Sequence, residues 1–355
     1  MPKLAILYMG EPRPPGGCEI YRGNMPAWYL LKHSRWQADW LYYADIVRHV
    51  GPGGPKAILS FFEKYDLLVF PRFYAHTKKD VQEIGFFFDA LRRLSKLKIA
   101  YEVDDDFTNR HRQVLPEGAS AMSVAKLCDG ITVSTKYLGN LMQHETGRPF
   151  YVLPNMLDPA LWKKATTTKQ EKLRIGLTGS TTHYGDWIVL KDVMPRILAK
   201  HPNVEFILGA FAPDYFGDLP RTHLYPAMPY PEYAETVKSY DIVLAPLDPH
   251  DKFNLSKSPI KAVEGMGACR KVNGSEGGAA VIATDVNVYR SVIQDRGVLV
   301  PQKPNAWFEA LDRLIADKEE REHYQTQGYK YVWQHYDIST GWKLWDKTYR
   351  RILNR

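Results

Sequence analysis

Ten short apolar runs recur along the chain, and each is closed by Gly, Pro, Asp, Ser or Asn. The runs are continuous rather than alternating, which is typical of strands buried on both faces of a parallel sheet. The first five runs begin at Leu4, Asp66, Lys98, Gly130 and Tyr151, and the second five begin at Leu173, Val204, Asp241, Ala280 and Gly297.

Helical patterns lie between these runs. Apolar residues recur at three- and four-residue spacing in 80–96, and similar patterns occur at 186–200, 231–240 and 305–317. This alternation of strands and helices predicts an α/β protein with two Rossmann-like domains. The polar stretch 165–172 has no apolar period and is the best linker candidate.

We therefore predict an N-terminal domain at 1–160, a C-terminal domain at 173–330 and a C-terminal helix at 331–355. A length of 355 residues agrees with two domains, because one domain usually takes roughly 100–200 residues. The region 319–355 carries more aromatic side chains than one terminal helix can bury. We expect it to cross back and pack on the first domain.

Composition and cysteine usage exclude several classes of protein. No run of 18 apolar residues is present, so no membrane-spanning helix is expected. The N-terminal segment indicates a first strand rather than a signal peptide. The three distant cysteines, Cys18, Cys128 and Cys269, predict a reducing compartment and a cytoplasmic protein, with neither a disulfide framework nor a zinc site.

The net charge of +7 is mild for a chain of this length. It favours polyanionic partners such as nucleotides, nucleic acid or an anionic membrane surface, without selecting among them.

Ligands of doubly wound sheets bind outside the carboxyl ends of the strands, so the segment after each run is where a site is expected. After the run LRIGLTG come Gly179, Ser180 and Thr181, and the pattern predicts a helix soon after them. Such a turn offers backbone N–H groups and the positive end of a helix dipole to a phosphate. A simple helix cap is the alternative.

A second cluster follows the run DIVLAPL. Pro259 suits the first turn of a helix, with Lys257 and Ser258 just before it. Glu264 lies three residues beyond Lys261, on the same helix face. Lysines can neutralise a diphosphate, and a glutamate can accept hydrogen bonds from ribose hydroxyls. The alternative is an exposed Lys–Glu pair that contributes little to stability.

The stretch N-L-S-K-S-P-I-K-A-V-E-G-M-G, followed by A-V-I-A-T-D-V, resembles the donor-site signature of GT-B glycosyltransferases, especially the retaining enzymes of family 4. The resemblance covers most of the second half, including R-I-G-L-T-G-S-T-T-H-Y-G-D, and extends into the first half through Y-E-V-D-D-D and V-L-P-N-M-L-D. It implies two domains that face a central cleft and bind a nucleotide-diphospho-sugar, with a UDP-sugar as the expected donor.

The resemblance also implies roles for individual residues. Glu264 would hold the ribose, Lys257 and Lys261 the diphosphate, and Gly179 and Ser180 would form the glycine turn. No bound cofactor and no metal ion is expected.

Three departures from the family pattern bear on the sugar and acceptor contacts. Ser256 stands where the family often has a first glutamate, eight positions before Glu264. Thr181 and His183 stand where a basic pair is usual. The segment 269–278 is an additional insertion.

In related enzymes a Gly-rich loop after the first strand faces the donor phosphates or the acceptor. Here that loop contains Gly17, Tyr21 and Arg22. We assign Gly17 to the donor and Tyr21 and Arg22 to the acceptor. A flexible loop with a solvated arginine is the alternative.

Asp104, Asp105 and Asp106 end a predicted strand. Three adjacent carboxylates repel one another, so at least one should gain a partner or a raised pKa. Acceptor activation, helix capping and oxygen ligation of a metal all remain open. The Asp-x-Asp pattern of metal-dependent GT-A enzymes is formally met, but the ten strands contradict that single-domain fold. We assign Asp104, Asp105 and His183 as catalytic candidates and Asp106 to the acceptor site.

The predicted function is transfer of a sugar from a nucleotide-diphospho-sugar to a hydroxyl, with the retention that the resemblance implies. The acceptor is either a cell-envelope glycan or lipid carrier, which the first domain could meet at an anionic surface, or a hydroxymethylated base in DNA. Arg110, His111, Arg112, Arg270 and Lys271 would suit a DNA backbone. A nucleotide-sugar epimerase of the same fold and a non-catalytic nucleic-acid- or glycan-binding protein are the alternatives.

Overall fold

The computed structural model describes residues 1–8, 12, 15–108, 120–165 and 171–354. Arg110, His111, Arg112 and most of the predicted linker lie outside these residues.

The chain forms two compact units. The N-terminal unit comprises Met1–Asn155, Ser256–Ser258 and Ile338–Arg355, and the C-terminal unit comprises Met156–Leu255 and Pro259–Asp337.

The N-terminal unit is built on a sheet of six parallel strands. These strands are β1 (Lys3–Tyr8), β2 (Gln37–Tyr42), β3 (Leu67–Pro71), β4 (Lys98–Val103), β5 (Gly130–Val133) and β6 (Phe150–Val152). Their order is β2-β1-β3-β4-β5-β6. All neighbouring pairs are parallel, so the carboxyl ends of the strands lie along one edge of the sheet.

Helices connect these strands. They are α1 (Gly17–Glu19), α2 (Met25–His33), α3 (Tyr43–His49), α4 (Gly54–Phe62), α5 (Lys78–Leu94), α6 (Ala121–Ala125) and α7 (Lys136–Thr146). Helix α5 begins at a capping box, in which Thr77 Oγ1 accepts from the Asp80 N–H and the Asp80 carboxylate accepts from the Thr77 N–H. Its residues Phe88 and Leu91 are buried in the core of the unit.

The C-terminal unit contains a second six-stranded parallel sheet and a hairpin. Its strands are β7 (Leu173–Thr178), β8 (Val204–Gly209), β9 (Thr222–Tyr225), β10 (Ile242–Ala245), β11 (Arg270–Val272), β12 (Ser275–Gly277), β13 (Ala280–Thr284) and β14 (Val298–Val300). The main sheet has the order β14-β13-β10-β7-β8-β9. The antiparallel pair β11–β12 accounts for the insertion at 269–278.

The helices of this unit surround a separate apolar core. They are α8 (Pro159–Trp162), α9 (Val193–Lys200), α10 (Tyr230–Lys238), α11 (Ile260–Gly267), α12 (Asn287–Ile293), α13 (Pro304–Ala316) and α14 (Lys318–His335). Within the described ranges, every helix is too short or too polar to cross a lipid bilayer.

The last helix, α15 (Ile338–Leu353), belongs to the N-terminal unit. Trp36 Nε1 donates to Asp346 Oδ1 at 2.7 Å, and the rings of His33 and Trp342 stack at 6.1 Å. The predicted crossing to the first domain is therefore made by α15, whereas α14, which contains the first part of the tail 319–355, belongs to the C-terminal unit.

The predicted α/β fold with two parallel sheets is confirmed, but each sheet has six strands where five were predicted. The strands missed are β2 and β9, one at an edge of each sheet. An edge strand is covered less completely than a central one, so it needs no continuous apolar run. In β9, for example, Leu224 is 56% exposed.

Candidate functional site

Glu264 lies at the centre of a polar cluster in the C-terminal unit. It projects from α11, one turn after Lys261, and only 3% of it is exposed. Tyr233 Oη donates to Glu264 Oε2 at 2.6 Å, and Lys261 Nζ donates to the same oxygen at 3.2 Å. Lys261 Nζ also donates to Tyr233 Oη at 2.9 Å. The predicted Lys–Glu pair thus forms, but around a nearly buried carboxylate rather than on a solvated helix face.

Tyr233 connects this cluster to the carboxyl end of β7, because its hydroxyl lies 3.3 Å from Thr178 Oγ1. Burial, and then the negative charge of Glu264, raises the pKa of Tyr233 far above its ordinary value. The phenol therefore keeps its proton and can donate to the carboxylate. Sequence reasoning missed Tyr233, which comes from α10, 31 residues before Glu264. Its only signal was its position in the predicted helix 231–240.

Lys257 and Ser258 belong to the N-terminal unit, whereas Lys261 and Glu264 belong to the C-terminal unit. Lys257 Nζ lies 3.9 Å from Asp105 Oδ1. Ser258 Oγ accepts from the side-chain amide of Asn155 at 3.0 Å. The two predicted diphosphate lysines therefore have different carboxylate neighbours.

The turn that follows β7 contains Gly179, Ser180 and Thr181, but no α-helix begins there. Two short 3₁₀ turns, Thr181–His183 and Asp186–Leu190, precede α9. The Gly179 N–H donates to the Gly209 carbonyl at 3.3 Å, and Ser180 Oγ lies 2.8 Å from Thr182 Oγ1.

The prediction that an α-helix, and with it a helix dipole, begins at this turn was therefore wrong. The residues here, Thr-Thr-His-Tyr-Gly, have low helix propensity, so nothing in the local sequence favours a regular helix. Asp186 does not cap a helix here, because its carboxylate is hydrogen-bonded to His183, Asn254 and the Asp248 N–H.

His183 and Asp186 form a hydrogen-bonded pair, with 2.8 Å between Nδ1 and Oδ2. Asp186 Oδ1 accepts from the Asp248 N–H at 2.9 Å and from Asn254 Nδ2 at 2.6 Å. Burial raises the pKa of Asp186, but these hydrogen bonds outweigh it and hold the pKa below its ordinary value. An ionised Asp186 orients the imidazole, with Nδ1 as the donor. A Cβ at Gly179 would lie 2.8 Å from the His183 ring, so the glycine permits this packing.

Arg22 is almost fully buried in the N-terminal unit, with 2% of it exposed. It lies in a π-helical turn, Ile20–Asn24, that leads into α2. Its Nε donates to Glu102 Oε1 at 2.6 Å, and its Nη1 donates to Asn155 Oδ1 at 3.0 Å and to the Leu153 carbonyl. The alternative of a flexible loop with a solvated arginine is therefore wrong.

The other two candidates of this loop differ in their surroundings. Tyr21 is buried, with 4% exposed. Gly17 is the first residue of α1, and a Cβ placed there would meet nothing within 4 Å. The space beside Gly17 is therefore open.

Glu102 is the buried hydrogen-bond partner of Arg22, and sequence reasoning missed it. Thr132 Oγ1 donates to its second carboxylate oxygen. Burial raises the pKa of Glu102 to about 7, although Arg22 and Thr132 oppose the shift. The sequence signal for a buried charged residue was the single glutamate inside the apolar run KIAYEVD.

The repulsion among Asp104, Asp105 and Asp106 is relieved by a cation. Arg72 Nε donates to Asp104 Oδ1 at 2.6 Å, and Arg72 Nη2 donates to Asp105 Oδ2 at 2.6 Å. The Asp106 N–H donates to Ser256 Oγ at 3.1 Å. Burial raises the pKa of Asp104, but Arg72 and then Arg22 outweigh it, so the pKa lies below its ordinary value. Asp104 and Asp105 have therefore gained a cationic partner.

Metal binding finds no geometric support in these clusters. No group of three His, Cys, Asp or Glu side chains within the described part of the chain could hold a metal ion.

Comparison with known proteins identifies the fold. No protein-family model and no curated protein sequence matches the chain. Solved structures match it over almost its whole length. Anabaena HepE in complex with UDP and glucose is 14% identical, with a TM-score of 0.63 and coverage of 99% of this chain and 100% of that chain.

Two further structures illustrate the range of activities found on this fold. A glycosyltransferase from Rickettsia africae is 9% identical, with a TM-score of 0.64 and coverage of 99% of this chain and 98% of that chain. UDP-GlcNAc 2-epimerase from Neisseria meningitidis, bound to UDP-GlcNAc, is 13% identical, with a TM-score of 0.54 and coverage of 98% and 100%. The chain thus has the fold of GT-B glycosyltransferases and of epimerases of the same fold.

Proposed function

We propose that this protein is a glycosyltransferase that moves a sugar from a nucleotide-diphospho-sugar, with UDP as the nucleotide, to a hydroxyl acceptor. The observation that carries the proposal is the cluster of Tyr233, Lys261 and Glu264 beside the carboxyl end of β7. A carboxylate held in place by a phenol and an ammonium group is suited to accept hydrogen bonds from ribose hydroxyls.

In this proposal the donor lies along the carboxyl edge of the C-terminal sheet. Within the C-terminal unit, Glu264 binds the ribose, Lys261 supplies positive charge for the diphosphate, and the Gly179-Ser180-Thr181 turn adds donor contacts. The family resemblance is the reason that Lys257, Ser258 and Gly17 of the N-terminal unit are also assigned to the donor. The occurrence of UDP in the HepE structure supports a uridine nucleotide.

The chemical step breaks the bond between the anomeric carbon and the diphosphate, so negative charge develops on the departing phosphate. Fixed cations lower the barrier when they lie where that charge appears. With the retention implied by the resemblance to family 4, the departing phosphate deprotonates the acceptor hydroxyl, and no protein nucleophile is required. His183, held by Asp186, orients the donor, and Asp104 and Asp105 polarise the acceptor.

We place the acceptor at Tyr21, Arg22 and Asp106. Our proposed acceptor is a cell-envelope glycan or its lipid carrier, reached by peripheral contact of the N-terminal unit with an anionic surface in the cytoplasm. A hydroxymethylated base in DNA is the other acceptor to test. All three cysteines are free thiols, which agrees with a reducing compartment.

The experiment is incubation of the purified full-length chain with a panel of nucleotide-sugars, followed by chromatography of nucleotides and sugars. A transferase releases free UDP, slowly by hydrolysis without an acceptor and faster with one. The Glu264→Ala variant is compared with Glu232→Ala, which removes an exposed carboxylate from α10. Failure to bind any nucleotide would contradict the proposal.

A nucleotide-sugar epimerase is a second candidate, supported by the His183–Asp186 pair and by the epimerases that share this fold. An oriented imidazole can move a proton to or from a sugar carbon. The same panel separates the two activities, because an epimerase converts one UDP-sugar into another without accumulating free UDP.

A further inference from the structure

Helices α2 and α15 cover the same face of the N-terminal sheet. Ile131 of β5 belongs to the apolar core on the other face, which α5 covers. Successive side chains of a strand point to opposite faces, so a Cβ on Gly130 would point away from that core, and it would lie 3.4 Å from Ile352 of α15. The ring of His33 in α2 stacks on the ring of Trp342 in α15 at 6.1 Å. The two helices therefore form one layer, and α5 lies on the opposite side of the sheet.

The outer side of this layer exposes large apolar side chains. Trp28 is 42% exposed and Leu31 is 45% exposed, and the two lie three residues apart on one face of α2. Leu344 of α15 is 37% exposed. The inner sides of both helices are buried against the unit, as Leu30 and Trp345 are. The exposed apolar side chains are therefore a property of the solvent side alone.

The charge of the same side is positive. Five exposed basic side chains lie on the two helices or directly after α2, namely Lys32, Arg35, Lys343, Lys347 and Arg351. The only acidic residue within Met25–His33 and Ile338–Leu353 is Asp346. Asp346 accepts from Trp36 Nε1 at 2.7 Å and from Arg350 Nε at 2.8 Å, so its charge is compensated locally. The three apolar and five basic side chains together are called the α2–α15 surface.

Apolar and cationic groups adjoin one another on this surface. Lys32 Nζ lies 4.6 Å from the centroid of the Trp28 ring, which is within the range of a cation–π contact. On α15, Lys343 and Lys347 are four residues apart and flank Leu344 on the exposed stripe. Long basic side chains beside indole and aliphatic groups are typical of helices that lie at the boundary between acyl chains and lipid headgroups.

This combination favours an anionic lipid surface over other polyanions. A nucleic-acid backbone would pair with the cations, but it has no apolar phase in which Leu31 and Leu344 could be buried. A second copy of the chain would bring two positive surfaces together. A bilayer with anionic lipids accepts both kinds of group, since its phosphates attract the lysines and arginines and its acyl boundary takes the indole and leucines.

We infer that the α2–α15 surface docks this protein on an anionic lipid bilayer. Trp28, Leu31 and Leu344 lie at the acyl–headgroup boundary, and the five basic side chains lie among the phosphates. The part of this docking in sugar transfer rests on the proposed function, for which it names the surface that meets the membrane. The docking itself requires neither donor nor acceptor.

The test is co-sedimentation of the full-length chain with vesicles of phosphatidylcholine alone and of an equal mixture of phosphatidylcholine and phosphatidylglycerol. We expect binding to the mixture that weakens as salt is added, and little binding to phosphatidylcholine alone. The double variants Trp28→Ser with Leu31→Ser and Lys343→Glu with Lys347→Glu should each weaken binding by about tenfold or more. Circular dichroism checks that both variants fold.

Matched controls come from α5, on the other side of the sheet. Phe86→Ser removes a side chain that is 75% exposed, and Lys78→Glu with Arg93→Glu makes the same change in net charge as the α15 variant. Both controls should bind the mixed vesicles like the wild type. An equal loss in the controls would show that total charge or total apolar exposure, rather than the α2–α15 surface, causes binding, and would overturn the inference.

Tryptophan fluorescence gives a second, local measurement. Brominated lipids quench an indole that reaches the acyl boundary, and the chain has nine tryptophans, so the share of Trp28 is found from Trp28→Phe. We expect quenching in the wild type and a clear reduction of it in Trp28→Phe. Quenching that is equal in both would contradict the placement of Trp28 in the lipid.

Three further results would overturn the inference. They are the absence of vesicle binding, binding that is independent of the anionic lipid, and retention on duplex DNA that the Lys343→Glu, Lys347→Glu variant loses while vesicles do not bind. UDP binding is measured without vesicles and should be the same in all these variants. Failure of the wild type to bind UDP would contradict the proposed function and leave the vesicle results unaffected, because UDP is assigned to the C-terminal unit.

Discussion

At the scale of single residues, the proposed donor site depends on how a nearly buried carboxyl group is held by hydrogen bonds. Glu264 is 3% exposed, and an isolated carboxylate with so little solvent would be costly. Two donors, Tyr233 and Lys261, converge on one of its oxygens and offset that cost. The spacing of Lys261 and Glu264 was visible in the sequence, because residues three apart share a helix face. The contact of Tyr233 with Glu264 was not visible in the sequence, because only folding brings α10 beside α11.

Replacing Glu264 with alanine should weaken UDP binding by about 1–3 kcal/mol, because hydrogen bonds to the ribose are lost. Tyr233→Phe should weaken it less, since the carboxylate remains but loses one of its supports. Isothermal titration calorimetry measures both effects. Glu232→Ala, which removes an exposed carboxylate from the first turn of the same helix, should bind UDP like the wild type. Unchanged affinity in both site variants would remove Glu264 from the donor site.

At the scale of elements, the sequence predicted the strands that have continuous apolar runs. It missed the elements whose formation depends on contacts between distant parts of the chain. Ten strands, including the edge strands β6 and β14, appeared as continuous apolar runs, whereas the edge strands β2 and β9 had no such run. The π-helical turn Ile20–Asn24 had no signal at all. It depends on Tyr8, which lies in β1 and donates to the Asn24 side chain at 2.6 Å.

The packing of the π-helical turn predicts that substitution by alanine lowers stability at Gly23 but not at Gly17. A Cβ at Gly23 would overlap the hydroxyl of Tyr8, so Gly23→Ala must displace either the turn or the buried Tyr8 side chain, which is hydrogen-bonded to Asn24. We expect a loss of about 1–3 kcal/mol in the free energy of unfolding, as for other overpacked sites. Gly17→Ala is the control, because nothing lies within 4 Å of its Cβ, and it should be neutral or slightly stabilising. Urea denaturation followed by circular dichroism compares them, and equal stabilities would contradict the steric account.

At the scale of the whole molecule, the buried carboxyl groups fall into two classes whose contributions to stability change with pH in opposite directions. Burial alone would raise the pKa of Asp104 and Asp186, but ionic and hydrogen-bonding partners lower it below the ordinary value of 3.8. These two groups stabilise the fold above that pH, and their contribution is lost as the pH falls through their lower folded-state values. Glu102 behaves differently, because its pKa is raised from 4.5 to about 7, chiefly by burial.

Between pH 4.5 and 7 the folded chain therefore keeps a proton on Glu102 that the unfolded chain releases, and the free energy of unfolding falls as the pH rises. This loss of stability is complete above pH 7. We expect wild-type protein to lose stability between pH 5 and pH 8, and Glu102→Gln to lose less, as measured by urea denaturation.

The comparison is made within each variant, so any general destabilisation of Glu102→Gln cancels. Glu205→Gln is the matched control, because the pKa of Glu205 is lowered: burial raises it, but a hydrogen bond from Arg174 outweighs that effect. Above pH 5 this control should keep the wild-type slope. If Glu102→Gln shows the same slope as the wild type, the proton on Glu102 is not the cause of the pH dependence.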